Sequence, residues 1–211
     1  MDIAIIGAGN VGAALAKGWA KKGHNILFGV RNPGDSKYQA LKTQLGSSAK
    51  FVPLADAARG AGVILLATPL SQTEQVVKSL GAVSGKIIID ATNPLKPDLS
   101  GLTHGYTTSA AELIQSWAPD AKVIKAFNTV GANIMEKPEV NGLKAMMYFC
   151  GNDAQARQTV KQLISDIGFE PVEAGDLKEA RLLEPLAMLW IKSAYAFGLG
   201  RDFAFGLLKA S

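Results

Sequence analysis

Met1-Asp2-Ile3-Ala4-Ile5-Ile6-Gly7-Ala8-Gly9-Asn10-Val11-Gly12 is the stretch that decides the fold. An apolar run suited to a buried strand ends in the spacing Gly7-x-Gly9-x-x-Gly12, and Val11 to Lys22 then reads as a helix. Strand, glycine turn and helix in that order form the dinucleotide-binding fingerprint. Gly7 permits the tight turn out of the strand. Gly9 lets the backbone approach a pyrophosphate, and Gly12 lets the helix pack on the strand. The helix N-terminus adds free N–H groups and a partial positive charge for the phosphates. Gly7, Gly9, Asn10, Val11 and Gly12 are therefore candidate cofactor-binding residues.

The second strand, Asn25-Ile26-Leu27-Phe28-Gly29-Val30, sharpens this by what it lacks. An NAD-preferring fold ends this strand in Asp or Glu, which holds the ribose 2′-hydroxyl. Here the tip is Val30-Arg31-Asn32-Pro33. A guanidinium forms a charge-assisted fork with a 2′-phosphate, which a carboxylate would repel. Arg31 and Asn32 are thus candidate contacts, Lys37 adds a second positive charge nearby, and the expected cofactor is NADP. The plain alternative is a solvated loop arginine.

Composition agrees. Of 211 residues, 48% are hydrophobic, enough for a sizeable core, and the net charge of +4 suits an anionic cofactor. No dense Lys/Arg run is interleaved with aromatics, which argues against nucleic acid. One cysteine, Cys150, permits neither an internal disulfide nor a thiol metal cluster, and its apolar neighbours make it a buried strand residue. The first strand leaves no room for a signal peptide, so a cytoplasmic protein is expected.

Beyond the fingerprint, strands and helices alternate. Strands are expected at 49–52, 63–67, 86–90, 122–127, 145–150 and 170–174. Helices are expected at 53–59, 71–80, 109–117 (Ser109 as N-cap, Glu112 completing a capping box) and 153–167. Residues 90–108 read as a long loop. This order predicts an α/β fold, a doubly wound, mostly parallel sheet of the Rossmann type, with a short C-terminal helical segment. Residues 1–175 form the expected NADP-binding domain, and residues 176–211 the segment that contributes to an acceptor cleft or a dimer contact.

In open α/β sheets the ligand sits beyond the carboxyl ends of the strands. Those ends read Ala67-Thr68-Pro69, Asp90-Ala91-Thr92-Asn93-Pro94 and Ala126-Phe127-Asn128-Thr129. Ala67, Thr68 and Pro69 are candidates beside a ribose. Asn93 and Asn128 both donate and accept, which suits a carboxamide or a flavin-like ring edge. The plain alternative is ordinary turn chemistry. Asp90 reads as a turn cap.

Gly7-Ala8-Gly9-Asn10-Val11-Gly12, Val30-Arg31, Ala67-Thr68-Pro69, Val123-Ile124-Lys125-Ala126-Phe127-Asn128-Thr129, Cys150-Gly151-Asn152-Asp153, Glu173-Ala174-Gly175-Asp176-Leu177 and Ala180-Arg181-Leu182-Leu183-Glu184 carry a resemblance that spans nearly the whole chain. The chain resembles the F420-dependent NADP oxidoreductases and the related cytosolic domain of the STEAP metalloreductases. The resemblance implies NADP on the glycine loop, with Gly9 to Gly12 at the pyrophosphate, Arg31 at the 2′-phosphate and Asn128 near the nicotinamide. It implies hydride transfer to a flavin or deazaflavin acceptor near the C-terminal segment. The archaeal F420 enzymes typically carry His where this chain has Asn128; the STEAP-like domains carry Asn.

Hydride transfer needs position and electrostatics from the protein, not a nucleophile or a metal. No catalytic residue and no metal ligand set is evident. His24 reads as a surface residue away from the site, and His104 as a loop residue able to reach a substrate. Leu182, Leu183, Leu186, Leu189 and Trp190 follow helical spacing, with Pro185 kinking or restarting the helix. Tyr195, Phe197, Phe203 and Phe205 follow. This stripe suits core or a homodimer contact, with pocket lining as the alternative, and Lys192 interrupts any membrane span. Two other functions compete: reduction of a small imine or acid, as in pyrroline-5-carboxylate reductase, and non-enzymatic NADP(H) sensing. The first usually needs a longer helical C-terminal domain than the forty or so residues here.

Overall fold

In the first strand, β1 (Asp2–Ile6), every side chain after Asp2 is buried. Ile3 and Ile5 join one hydrophobic cluster and Ala4 and Ile6 another. A strand buried on both faces belongs in the middle of a parallel sheet. The computed structural model describes residues 1–208 and 210 and places β1 there. From β1 the chain runs through α1 (Asn10–Lys21), β2 (Asn25–Gly29), α2 (Gln39–Leu45), β3 (Ala49–Val52), α3 (Leu54–Gly60), β4 (Val63–Leu66) and α4 (Leu70–Lys78). It continues through β5 (Ile87–Asp90), α5 (Ala110–Trp117), β6 (Lys122–Lys125), α6 (Ala132–Glu136) and a small hairpin, β7 (Glu139–Val140) and β8 (Leu143–Lys144). The last elements are β9 (Met146–Gly151), α7 (Ala154–Ile167), β10 (Glu170–Glu173) and α8 (Ala180–Tyr195).

Eight strands form one sheet in the order β10-β9-β6-β5-β4-β1-β2-β3. The strands from β6 through β3 pair in parallel, β9 is antiparallel to β6, and β10 is parallel to β9. This is the expected doubly wound, mostly parallel fold. On one face α1 and α7 cover the sheet. Trp19 meets Phe127 edge-on, with ring centroids 5.6 Å apart, and its indole N–H donates to the Leu163 carbonyl at 3.0 Å. On the other face Ala57 of α3, Val76 of α4, Ile114 of α5 and Leu183 of α8 close a second core.

Three expectations need correction. α8 runs unbroken through Pro185. The helix therefore does not restart there: the proline leaves the Arg181 carbonyl without its helical donor, but Leu183, Ala187 and Trp190, buried on either side of it, keep the helix continuous. His24 is not a surface residue: it is 8% exposed, and its Nε2 lies 2.9 Å from Asp166 Oδ2 on α7. The strand expected at 122–127 ends at Lys125, because Phe127 has φ of +63° and cannot continue a ladder. The expected helix at 109–117 stands with its cap. Ser109 Oγ accepts from the Glu112 N–H at 3.2 Å and donates to Glu112 Oε2 at 2.8 Å.

Arg181 ties α8 to that cap through two bonds to Glu112, Nε to Oε2 at 2.9 Å and Nη2 to Oε1 at 2.7 Å. The guanidinium holds the Glu112 carboxyl below its usual range. A depressed folded pKa stabilises above the unfolded value and is lost as pH falls through the folded one. Arg181→Met should therefore cost about 1 kcal/mol at neutral pH, the upper range for a partly exposed pair. In urea denaturation the gap between variant and wild type should close as the pH drops below the ordinary glutamate range; a gap constant with pH would refute the assignment.

Candidate functional site

The strand order reverses direction between β1 and β4, which places the loops after β1, β2, β4, β5 and β6 along one edge of the sheet. At that switch point the three glycines meet different surroundings. Gly7 has φ of +114°, and a Cβ there would sit 2.5 Å from the Ala67 carbonyl oxygen. A Cβ on Gly12 would fall onto the Gly7 carbonyl. Gly9 faces nothing within 4 Å. It caps α1 without a side-chain bond to the first N–H groups, which are left available among the described residues. Gly12→Ala should thus destabilise the fold by about 2–4 kcal/mol. Gly9→Ala should stay within about 1 kcal/mol in the same denaturant titration, since its φ of −81° suits alanine.

The remaining sequence-predicted residues fall into three groups. Val11, Ala67, Thr68, Pro69 and Asn93 line a cleft of about 1050 Å³ together with Thr92, His104 and Trp117. Asn10, Val11, Asn93 and Asn128 line a smaller cleft of about 320 Å³, walled by Trp190, Ile191, Tyr195 and Arg201. Val11, Asn93, Leu95 and Leu99 border both. Arg31, Asn32 and Lys37 stand outside these two clefts at the tip of β2. The exposed Arg31 donates from Nη2 to Gln72 Oε1 at 3.1 Å. Asn32 Oδ1 accepts from the Gly34 N–H at 3.1 Å, closing a turn. Lys37 pairs with Asp35 Oδ2 at 2.9 Å, so its charge is already partnered.

Asn93 and Asn128 meet although 35 residues apart. Asn128 Nδ2 donates to Asn93 Oδ1 and to the Leu183 carbonyl of α8, both at 3.1 Å. Asn93 Nδ2 donates to the Asn128 carbonyl at 2.9 Å. Both amide hydrogens of Asn128 are thus spent, and its Oδ1 is buried with no donor among the described residues. The left-handed Phe127 just before it redirects the chain out of the strand. Such a conformation costs an aromatic residue of order 1–3 kcal/mol, and Trp19 and Phe169 packed against the Phe127 ring hold it. Thr68 Oγ1 lies 3.2 Å from Thr73 Oγ1 at the start of α4. His104 is exposed and its Nδ1 contacts Thr103 Oγ1 at 3.0 Å.

Directly beneath these loops lies a charge cluster that the sequence reading missed. Lys125 is fully buried, and its Nζ donates to Asp90 Oδ2 at 2.8 Å, Glu184 Oε1 at 2.8 Å and the Thr92 carbonyl at 2.6 Å. Glu184 also accepts from the Ala110 N–H at 3.1 Å, at the start of α5. Burial alone would push the ammonium down, but the two carboxylates outweigh it and hold Lys125 above its ordinary value. Burial pushes the Glu184 carboxyl up despite the ammonium. The available signal was a lysine inside the apolar run Val123-Ile124-Lys125-Ala126-Phe127, since a buried charge requires a partner. Asp90 does cap its turn as expected, with Oδ1 accepting from the Thr92 N–H at 2.8 Å. Cys150 is buried, with its thiol pushed up to about 12, and so is inert. No cluster of three metal-ligating side chains occurs among the described residues.

Residues 2–94 match the family model "NADP oxidoreductase coenzyme F420-dependent". The F420-dependent NADP reductase of Methanocaldococcus jannaschii is 30% identical over 205 residues, covering 90% of this chain and 91% of that protein. The chain belongs to the F420-dependent NADP oxidoreductase family. The metalloreductase STEAP3 of Rattus norvegicus is 28% identical over 93% of this chain, which spans 39% of the STEAP3 length. The crystal structure of a proposed F420-dependent NADP reductase from Arthrobacter sp. FB24 superposes with a TM-score of 0.90 at 30% identity, covering 99% of this chain and 100% of that one. No helix among the described residues is long and apolar enough to cross a membrane.

Proposed function

We propose that this NADP-dependent oxidoreductase transfers a hydride between NADPH and a flat flavin or deazaflavin acceptor. The acceptor would lie in the cleft between the strand ends and α8. The observation that carries this reading is the Asn93–Asn128 pair at the strand ends, with Asn128 Oδ1 buried and in want of a donor. A carboxamide N–H would satisfy it. The open face of Gly9 and the free first turn of α1 fit a pyrophosphate held against Asn10, Val11 and Gly12. Among the described residues the exposed Arg31 bonds only a neutral amide, so it can turn to a 2′-phosphate, and Thr68, in the lining of the larger cleft, would meet a ribose hydroxyl. Lys37 would have to leave Asp35 to contribute.

Bound NADPH would supply the hydride. The chain supplies orientation and shelter from water, and orientation alone can account for a large share of the rate. Residues 1–175 act in this reading as the nucleotide-binding unit. In the segment from residue 176 onward, Trp190, Ile191 and Tyr195 form one wall and offer apolar surface to a flat ring. Leu182, Leu189 and Phe197 are exposed on and just beyond α8, which suits a homodimer contact. A single buried thiol fits the reducing cytoplasm.

Purified protein should oxidise NADPH when offered F420, FMN, FAD, riboflavin or ferric chelates in turn, with turnover on a flavin or deazaflavin. Cofactor binding without turnover on any of them would favour a sensor or a small-molecule reductase. Arg31→Ala should weaken NADPH binding by about 1.5–3 kcal/mol, the worth of a charged hydrogen bond, and leave NADH affinity nearly unchanged. Equal loss for both would refute the 2′-phosphate contact.

A further inference from the structure

Thr92 follows β5 and is 4% exposed. Both of its backbone groups are fixed by the buried charges: its N–H donates to Asp90 and its carbonyl accepts from Lys125. Its hydroxyl is buried with no partner among the described residues, and the residue lines the larger cleft together with Val11, Ala67 and Thr68. A buried hydroxyl without a hydrogen bond is costly, and here the residue that carries it borders a cleft and has its backbone held on both sides. We propose that Thr92 is a binding residue for the nicotinamide half of the nucleotide, and that Asp90, Lys125 and Glu184 are its positioning residues. This rests on the nucleotide reading above.

Glu184 links the arrangement to α8. The preceding residue, Leu183, accepts from Asn128 through its carbonyl. The same cluster therefore sets both orphaned polar groups of the site, Thr92 Oγ1 and Asn128 Oδ1. A hydroxyl stacked over a core for packing alone would lose nothing by becoming a methyl group. A hydroxyl kept for a ligand leaves the free protein less stable than it could be.

Thr92→Val tests this, because it preserves shape and removes only the hydroxyl. The melting temperature of the free protein should stay the same or rise. The dissociation constant for NADP+ should increase about three- to tenfold, the range for one uncharged hydrogen bond, while that for 2′-phospho-ADP-ribose, which lacks the nicotinamide, should change less than twofold. Asp90→Asn and Glu184→Gln, both isosteric, should show the same selective loss once a thermal melt confirms a folded protein. Thr92→Val combined with Asp90→Asn should be no worse than the more severe single variant. A lowered melting temperature for Thr92→Val, unchanged NADP+ affinity, equal loss for both ligands, or additive losses would each overturn the proposal. Wild-type protein that binds neither ligand would overturn the nucleotide reading itself.

Discussion

A single ammonium group sealed from water organises this molecule. Lys125 stands at the end of β6 with no exposure and all three of its hydrogens committed. Removing a charge from water costs several kcal/mol after relaxation, and the cost is recovered only if every partner is in place. Those partners come from β5, from the turn after it and from α8. The α5 N-terminus joins through Glu184. The cluster cannot form unless these elements are already in register. It is therefore a specifying device more than a stabilising one, since well-packed apolar groups would serve stability as well or better.

The site inherits its order from that cluster. Asn93 and Asn128 each follow a member of the cluster by three residues, and α8 contributes both Glu184 to the cluster and the Leu183 carbonyl to Asn128. The C-terminal helix is thus not an appendage to a finished nucleotide domain. Its first turns belong to the same hydrophobic core as α3, α4 and α5, while its later turns wall the smaller cleft. Trp190 completes that wall by stacking on Phe203 at 5.3 Å and donating to the Phe203 carbonyl.

Much of this could be read from the chain. Runs such as Val63-Ile64-Leu65-Leu66 are apolar without alternation, which only a strand covered on both faces requires. The strand ends then pointed to Thr68, Asn93 and Asn128 by a rule of topology. The short helices α2 and α6 escaped notice because five to seven residues are too few to show a period. The unbroken α8 was hidden because local rules stop a helix at proline, whereas packing on both sides of Pro185 overrides one lost hydrogen bond. His24 looked solvated because its partner, Asp166, lies 142 residues away. The charge cluster was hidden for the same reason: its three side chains come from positions 90, 125 and 184, and pairing across such separations has no local signature.

The three glycines of the first loop carry unequal historical information. Gly7 and Gly12 are hemmed in by the protein's own backbone, whereas Gly9 faces open space. A descendant that ceased to bind nucleotide would still be held to glycine at the first and third positions, because its own fold demands them. Only the middle position would be released to drift. In members of such a fold the flanking pair alone would report only that the scaffold persists, and the central glycine would be the one of the three that speaks to a ligand.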